Sequence, residues 1–366
     1  MKIIADEKIP FLEGALERHA QVEYVDGRSF TPDIVKDADA LIIRTRTKCD
    51  EALLAGSSVK AIFTATIGFD HIDREYCKRA GIHWQNAPGC NSSSVQQYIA
   101  SALAVLHLHK GYELKGKTIA VIGVGNVGTK VAAWAELLGL RVLKVDPFRA
   151  KDEEGFCDYT YALQEADIIT YHTPLTYNGE HPTYHLFNET TLSVVRKGVI
   201  LINTSRGEVV DNEVLLSGLE SGVIADAVID VWENEPNINP RLHDNVFIYT
   251  PHVAGYSYDS KRNGTIMTVD ALCRFYNIDN ADWQAKTLPE PAKPIIAIDP
   301  DSDPLEAALT MLLHTYDIVA DDVRLRRQPT KAEEQRGNYP LRREIGAYTL
   351  QCDGPLASYL RKFGIR

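Results

Sequence analysis

Short apolar runs alternate with amphipathic stretches along the first ninety residues. The β-branched runs KIIAD, ALIIRTRT and VKAIFTATIG have the length of buried strands, and FLEGALERHA, between the first two, has helical spacing. Strands that alternate with helices in this way predict a parallel sheet with crossover helices. Ligands bind beyond the carboxyl ends of such strands. The hydroxyl and basic residues that end the second and third runs therefore mark a candidate binding edge.

A second α/β unit begins after a long helix. Asn91 is a candidate N-cap for the helix in SSSVQQYIASALAVLHLHKG, which is long enough to connect two domains. The strand IAVIG then leads into a glycine turn, a helix and a further strand. More β-branched runs follow in ADIITYHTPL, GVILINTSRG, DAVIDVWENEP and NVFIYTPHVAG. We predict an α/β fold with two Rossmann-like, doubly wound parallel-sheet domains.

The segment after residue 282 has a different pattern. Five prolines, at positions 289, 291, 294, 300 and 304, mark a stiff linker where a new domain begins. LEAALTMLLHTYDI then predicts a helix and GAYTLQC predicts a strand. Such a small α+β domain has little core of its own, and packing against a second subunit is a natural way to bury it. We therefore predict a C-terminal dimerisation domain and a homodimer.

The composition argues against several classes of partner. A formal net charge of −11 gives no basic field for a nucleic-acid backbone or an anionic membrane. No apolar run reaches about 18 residues, and the opening MKIIADEKIP has the pattern of a buried strand rather than a signal peptide. We predict a cytoplasmic protein that binds neither nucleic acid nor membrane. The six cysteines form no CxxC pair, which predicts free thiols and no metal site.

The glycine turn has the spacing of a dinucleotide-binding loop. Gly123, Gly125 and Gly128 form a GxGxxG sequence directly after a strand and before a helix. Asp146 follows at the end of the next strand, where a carboxylate accepts hydrogen bonds from the adenosine ribose. Because its charge would repel a 2′-phosphate, we predict NAD rather than NADP. Arg149 lies near enough to weaken that preference.

Polar residues also follow the later strands. Thr173, Arg206, Asp230, Glu235 and His252 each come just after a β-branched run, which places them around one rim of the sheet. Taken singly, the arginine fits a surface charge, the glutamate an exposed loop acid, and the histidine a packed core imidazole. Their convergence on one rim favours a site.

Three of these residues suit the oxidation of a secondary alcohol next to a carboxylate. His252 is the candidate base for the hydroxyl proton, because imidazole titrates near neutral pH. Glu235 would pair with the other ring nitrogen, stabilise the imidazolium and fix the tautomer. Arg206 would bind the substrate carboxylate in a bidentate pair and polarise the C2 oxygen.

The motifs together resemble the D-isomer-specific 2-hydroxyacid dehydrogenase family. They are the glycine loop with its downstream aspartate, HTPL, NTSRGEVVD, DVWENEP and PHVAGYS, and the resemblance covers residues 1 to about 280. It implies a flavodoxin-like substrate-binding domain at residues 1–91 and about 258–282. It also implies an NAD-binding Rossmann domain at residues 92–257, which leaves residues 283–366 for the dimerisation domain.

The resemblance further implies contacts to cofactor and substrate. By motif position, the cofactor-binding residues are Gly123, Gly125, Asn126, Val127, Gly128, Asp146, Thr173, Thr204, Ser205, Arg206, Asp230 and Gly255. The substrate-binding residues are Thr45, Thr66 and Tyr256. The stretches RTRTK, TATIGFDHID and APGCN, with the long tail, are similar to a narrower group of the family. That group oxidises 4-phospho-D-erythronate in pyridoxal 5′-phosphate (vitamin B6) biosynthesis.

Two alternatives stay open. Another D-2-hydroxyacid dehydrogenase, such as one acting on 3-phosphoglycerate, would have the same catalytic residues, and an NAD-sensing, corepressor-like binding protein can retain them too. The arginine that would hold a substrate phosphate is also open. Arg44 and Arg46 flank the candidate Thr45, and Arg342 or Arg343 in the tail is a candidate for reaching the substrate of a partner subunit.

Overall fold

The computed structural model describes all 366 residues and consists of two compact units. The first contains residues 1–91 and 257–289, and the second contains residues 92–256 and 290–366. Both units are built on a parallel sheet with helices, so the predicted α/β fold class is confirmed. The function assigned to each domain stays a prediction.

The elements are numbered in chain order. The strands are β1 (Lys2–Asp6), β2 (Gln21–Val25), β3 (Ala40–Ile43), β4 (Ala61–Thr64), β5 (His83–Gln85), β6 (Thr118–Ile122), β7 (Arg141–Val145), β8 (Ile168–Tyr171), β9 (Val199–Asn203), β10 (Ile224–Ile229), β11 (Ile248–Tyr249), β12 (Ile295–Ala297) and β13 (Thr349–Gln351). The α-helices are α1 (Pro32–Val35), α2 (Glu51–Leu54), α3 (Arg74–Ala80), α4 (Ser92–Lys110), α5 (Asn126–Leu137), α6 (Tyr159–Glu165), α7 (Glu189–Leu192), α8 (Asn212–Glu220), α9 (Pro240–Asn245), α10 (Tyr258–Tyr276), α11 (Pro304–Thr315), α12 (Ile318–Arg327), α13 (Ala332–Gly337) and α14 (Gly354–Leu360).

The first unit has a five-stranded parallel sheet in the order β2-β1-β3-β4-β5. Successive residues of a strand point to opposite faces. Ile3 and Phe63 accordingly pack on one face with residues of α10, and Ile4 and Ile62 pack on the other. Both faces are covered, which explains why the central strand β3 is apolar at every position and why the middle residues of β1 and β4 are apolar.

Two local predictions in this part of the chain are wrong. FLEGALERHA forms turns instead of a helix, because Phe11 and Gly14 adopt positive φ angles of 66° and 87° that interrupt an α-helix. Asn91 does not cap α4 with its side chain, since its Oδ1 is buried without a hydrogen-bond partner.

The second unit has a six-stranded parallel sheet in the order β11-β10-β9-β8-β6-β7. In this sheet β6 is the first strand along the chain. The next strand, β7, pairs with one edge of β6, and the following strand, β8, pairs with its other edge. The connections that leave β6 and β7 therefore run in opposite directions across the sheet. Ligands of open α/β sheets bind at such a switch point, beyond the carboxyl ends of the strands. The glycine loop directly follows β6.

Residues 290–366 share a core with the second sheet. Leu309 and Leu312 of α11, together with Leu356 and Phe363, belong to the same buried cluster as the long helix α4. The strands β12 and β13 form a separate two-stranded parallel sheet in this segment. None of the helices combines the length and the apolar character that a transmembrane span requires.

Candidate active site

The loop after β6 is shaped by its glycines. Gly123 has a φ of +86°, and a Cβ on Gly128 would lie 2.0 Å from the carbonyl oxygen of Gly123. A Cβ on Gly125 would meet nothing within 4 Å. Helix α5 starts at Asn126 without a side-chain cap, so its first backbone amides, including that of Val127, are not used by a capping side chain. Tight packing beneath an open helix N-terminus fits the pyrophosphate of a dinucleotide.

Asp146, just past β7, is held against this loop. Its Oδ2 accepts a hydrogen bond from the backbone amide of Val124 at 3.0 Å. Arg149 is occupied by an ion pair with Glu153 and donates to the carbonyl oxygen of Val124 at 2.6 Å. An arginine fixed in this way is less available to a 2′-phosphate, which supports the predicted preference for NAD.

The neighbouring strand ends carry polar groups suited to the same cofactor. The Oγ1 atom of Thr173 is buried without a hydrogen-bond partner, as expected for a hydroxyl whose partner is a ligand. Ser205 is buried and donates to Asn203 Oδ1 at 2.8 Å, and the Oγ1 of Thr204 lies 3.4 Å from His172 Nδ1. These hydroxyl groups lie just past strands β8 and β9, at the edge of the sheet where the sequence predicts the NAD site.

Asp230 organises the segment that carries His252. It is fully buried beyond β10 and accepts hydrogen bonds from Thr250 Oγ1 at 2.7 Å and from the amides of Val253 at 2.8 Å and Ala254 at 2.9 Å. Burial raises the pKa of Asp230, and the hydrogen bonds and the nearby imidazole of His252 oppose that shift. The carboxylate therefore fixes the backbone on the C-terminal side of the histidine.

Glu235 and His252 form a direct pair. His252 Nδ1 lies 2.9 Å from Glu235 Oε2, and the other carboxylate oxygen accepts the backbone amide of Trp232 at 2.9 Å. Burial alone would raise the pKa of Glu235, but the charge and hydrogen bond of His252 lower it below its usual value, with help from Arg336 and the amide. His252 has a φ of +59°, a strained conformation typical of functional positions. Its side chain is 32% exposed, so a substrate can reach it.

A glycine brings the turn that carries Arg206 against the segment that leads to Glu235. A Cβ on Gly207 would lie 2.1 Å from the carbonyl carbon of Trp232, so only glycine lets the turn after β9 contact the backbone that leads to Glu235. Arg206 Nη1 donates to its neighbour Ser205 O at 2.7 Å. The three predicted catalytic residues thus belong to one unit, on segments that touch one another.

Two arginines of the C-terminal segment were not predicted in these positions. Arg336 lies 3.6 Å from Glu235 and donates to the hydroxyl of Tyr256 at 3.1 Å. Arg342 is buried in its own chain, where it donates to backbone carbonyls that include Ser94 O and Ala254 O. The hypothesis that Arg342 reaches the substrate of a partner subunit is therefore wrong. Nothing in the local sequence distinguishes either arginine from its neighbours, since tertiary packing alone places them.

Two predicted substrate residues belong to the first unit. Thr66 Oγ1 lies 2.7 Å from Thr64 Oγ1 and donates to Gly68 O at 3.0 Å, and Thr45 is exposed in the loop after β3. Arg44, beside it, donates to both carboxylate oxygens of the buried Asp6 at 2.9 and 3.1 Å. Arg44 is therefore largely committed to that acid. The shared role of Thr45 and Thr66 with Tyr256 and Gly255 of the second unit stays a prediction.

The chain contains no group of three or more His, Cys, Asp or Glu side chains that could hold a metal ion, and all six cysteines are free.

Residues 95–254 match the family model for the D-isomer specific 2-hydroxyacid dehydrogenase, NAD binding domain. Residues 287–364 match a domain of unknown function. The erythronate-4-phosphate dehydrogenase of Bacteroides fragilis is 50% identical over 96% of this chain and 99% of its own length. The enzyme of the same name from Proteus mirabilis is 40% identical over 100% of this chain and 98% of its own length.

Solved structures share the fold over most of the chain. D-lactate dehydrogenase from Aquifex aeolicus, in complex with NAD and lactic acid, has a TM-score of 0.63 at 27% identity and covers 76% of this chain and 96% of its own. NAD⁺-bound 3-phosphoglycerate dehydrogenase from Entamoeba histolytica has a TM-score of 0.65 at 25% identity, with coverages of 78% and 99%. These matches confirm the predicted NAD cofactor. The chain belongs to the D-isomer-specific 2-hydroxyacid dehydrogenase family, and erythronate-4-phosphate dehydrogenases are among the relatives that match it over nearly its whole length.

Proposed function

We propose that this chain oxidises 4-phospho-D-erythronate to 3-hydroxy-2-oxo-4-phosphooxybutanoate with NAD, as a step of pyridoxal 5′-phosphate biosynthesis. The observation that carries the chemistry is the pairing of His252 with Glu235 at 2.9 Å, on segments that contact the Arg206 turn. The substrate follows from relatives that are 40–50% identical over nearly the whole chain, including the C-terminal segment.

His252 is the acid/base of this reaction. Its Nδ1 is taken by Glu235, so Nε2 is the ring nitrogen that can accept the proton of the C2 hydroxyl group. Bound NAD supplies the acceptor for the hydride that leaves C2. Loss of one proton and one hydride converts the alcohol to the 2-oxo acid. The Glu235 carboxylate favours the imidazolium that forms and holds the ring in the required orientation.

Arg206 binds the carboxylate of the substrate. A guanidinium donates two parallel hydrogen bonds to a carboxylate, which orients C2 between the base and the cofactor. We assign substrate contacts also to Thr45, Thr66 and Tyr256, whose hydroxyls are donors suited to hydroxyl or phosphate oxygens.

The cofactor is held by the glycine loop and the polar strand ends. Gly123 and Gly128 allow the tight turn, Gly125 leaves its outer side open, and the uncapped amides of Asn126 and Val127 would hold the pyrophosphate. Asp146 receives the adenosine ribose hydroxyls. The remaining proposed contacts are those of Thr173, Thr204, Ser205, Arg206, Asp230 and Gly255.

We also propose a homodimer formed through the C-terminal segment, in the cytoplasm. Ile295 and Leu341 of this segment are large apolar residues with exposures of 52% and 42%, and a second subunit would cover them. Light scattering coupled to size-exclusion chromatography should give twice the mass of the chain, and Ile295→Glu with Leu341→Glu should give the monomer mass. A wild-type monomer at micromolar concentration would contradict the dimer.

The activity is tested by following NADH absorbance with purified protein, NAD and either 4-phospho-D-erythronate or D-3-phosphoglycerate. We expect kcat/KM to be at least about 100-fold higher for the four-carbon acid, a difference of roughly 2.7 kcal/mol in transition-state binding. Preference for 3-phosphoglycerate would assign the chain to the other dehydrogenase activity. NAD binding without turnover of any 2-hydroxy acid would favour an NAD-sensing protein.

A further inference from the structure

Helix α13 of the C-terminal segment carries an arginine to the Glu235–His252 pair of the same chain. Arg336 Nη1 lies 3.6 Å from Glu235 Oε2, the oxygen that also contacts His252. Its Nη2 donates to the Tyr256 hydroxyl at 3.1 Å, and its guanidinium carbon lies 5.6 Å from the centre of that ring. One side chain therefore touches both the predicted catalytic carboxylate and a predicted substrate residue.

The arginine is poorly solvated where it stands. Its side chain is 16% exposed, and its Nε is buried without a hydrogen-bond partner. Burial alone would lower the pKa of Arg336, but Tyr256 and the carboxylates of Glu235 and Asp230 raise it above its usual value, so the group stays charged. A buried charge is costly unless it is paired, and here the partner is Glu235.

The contacts of Glu235 show what this charge does. Oε1 accepts the Trp232 amide at 2.9 Å, and Oε2 lies between His252 and Arg336. The carboxylate is thus fixed by groups on three separate segments of the chain. Arg336 contributes to the low pKa of Glu235 and holds Oε2 in place for the imidazole.

We propose that Arg336 is a positioning residue of the active site, supplied in cis by the C-terminal segment. It acts through the Glu235–His252 pair and Tyr256, and this inference rests on the proposed function. The C-terminal segment, through which we propose that the dimer forms, then also contributes a residue to the active site. Deleting it would damage catalysis directly, apart from any effect on dimerisation.

The sign of the electrostatic effect follows from the charges at the site. The Glu235–His252 pair lies beside the positive charge of Arg336. The carboxylate of the buried Asp230 interacts with both Arg336 and His252. Oxidation needs a neutral imidazole as base. Removing the positive charge favours the imidazolium, so the acid limb of the kcat/KM profile should move to higher pH.

The test compares Arg336→Gln and Arg336→Lys with Arg327→Gln, an exposed arginine of the same segment. For Arg336→Gln we expect kcat to fall about 10- to 100-fold and the acid limb to rise by about half to one pH unit. NADH binding should change less than about threefold. Arg336→Lys should restore the position of the acid limb, because it keeps the charge, but only part of kcat, because it lacks the planar fork. Arg327→Gln should resemble the wild type.

A readout without turnover separates this inference from the proposed function. The Cε1–H resonance of His252, followed by NMR titration of the protein without substrate, should show a midpoint about half to one pH unit higher in Arg336→Gln. An unchanged midpoint with unchanged kcat would overturn the positioning role. A rise in substrate KM with unchanged kcat and an unchanged His252 midpoint would also overturn it, since Arg336 would then affect substrate binding and not the Glu235–His252 pair. If Arg336→Gln fails to fold, Arg336→Lys provides the test. A reduced kcat with a wild-type pH profile would support positioning by the planar guanidinium. A wild-type kcat would refute it.

Discussion

Replacing Arg342 with alanine should destabilise the second unit by about 3–5 kcal/mol. The side chain is 5% exposed and joins three parts of the chain. Nη2 donates to Ser94 O at 2.6 Å in α4, Nη1 to Ala254 O at 3.2 Å beside His252, and Nε to Gln97 Oε1 at 3.2 Å. The guanidinium also lies 3.6 Å from the centre of the Tyr316 ring.

The magnitude follows from these contacts. Hydrogen bonds to a charged group contribute about 1.5–3 kcal/mol each, and a desolvated cation–π contact contributes about 2 kcal/mol. The sum of these contributions is larger than the expected loss of about 3–5 kcal/mol. Water can enter the space that alanine leaves and donate hydrogen bonds to some of the freed carbonyl oxygens. For a unit of this size, each kcal/mol lowers Tm by about 2–4 °C, so a fall of roughly 10 °C is expected.

Urea unfolding and thermal unfolding, followed by circular dichroism, measure this loss. The matched control is Arg327→Ala, which removes an exposed arginine of the same segment and should change stability by less than about 0.5 kcal/mol. A loss below about 1 kcal/mol for Arg342→Ala would contradict this prediction, because it would mean that the contacts of the buried guanidinium make little net contribution to stability.

Three further predictions concern the cofactor site. Gly128→Ala should abolish measurable NADH binding by fluorescence, because its Cβ would lie 2.0 Å from the Gly123 carbonyl oxygen; near-normal affinity would contradict the tight turn. Asp146→Ala should lower the NAD over NADP ratio of kcat/KM by at least about tenfold, because it removes the charge that repels a 2′-phosphate; an unchanged ratio would place discrimination elsewhere. Burial lowers the pKa of His172 to about 3, so the unfolded chain takes up this proton first as the pH falls below about 6.5. Stability should then fall by up to about 1.4 kcal/mol per pH unit more in the wild type than in His172→Gln, and parallel curves from denaturant unfolding would contradict it.

The parallel sheets and the residues at their strand ends could be predicted from the sequence, because both follow from the periodicity of apolar residues. β-branched runs separated by helices specify a parallel sheet, and parallel strands bring their carboxyl ends to one edge. That is why Glu235 and His252, 17 residues apart, were expected together and are found 2.9 Å apart. The glycine loop was recognisable because close backbone approach has few alternatives to glycine.

The turns of FLEGALERHA and the positions of Arg336 and Arg342 could not be predicted from the sequence, because they depend on tertiary contacts. FLEGALERHA has helical spacing, but the positive φ angles of Phe11 and Gly14 turn the chain instead. Arg336 and Arg342 stand among other arginines in a polar segment, and only packing against the second sheet shows that one contacts Glu235 and the other the backbone beside His252. Charge patterns do not distinguish a buried arginine from a solvated one.

In the proposed function, His252 moves the substrate proton during NAD-dependent oxidation. The direct measurement is kcat/KM of His252→Asn with 4-phospho-D-erythronate, alongside NADH affinity by fluorescence. We expect a fall of about 10²- to 10⁴-fold in kcat/KM, with NADH affinity within about threefold of the wild type. A fall of less than about tenfold, with NADH bound normally, would contradict the claim and require another base.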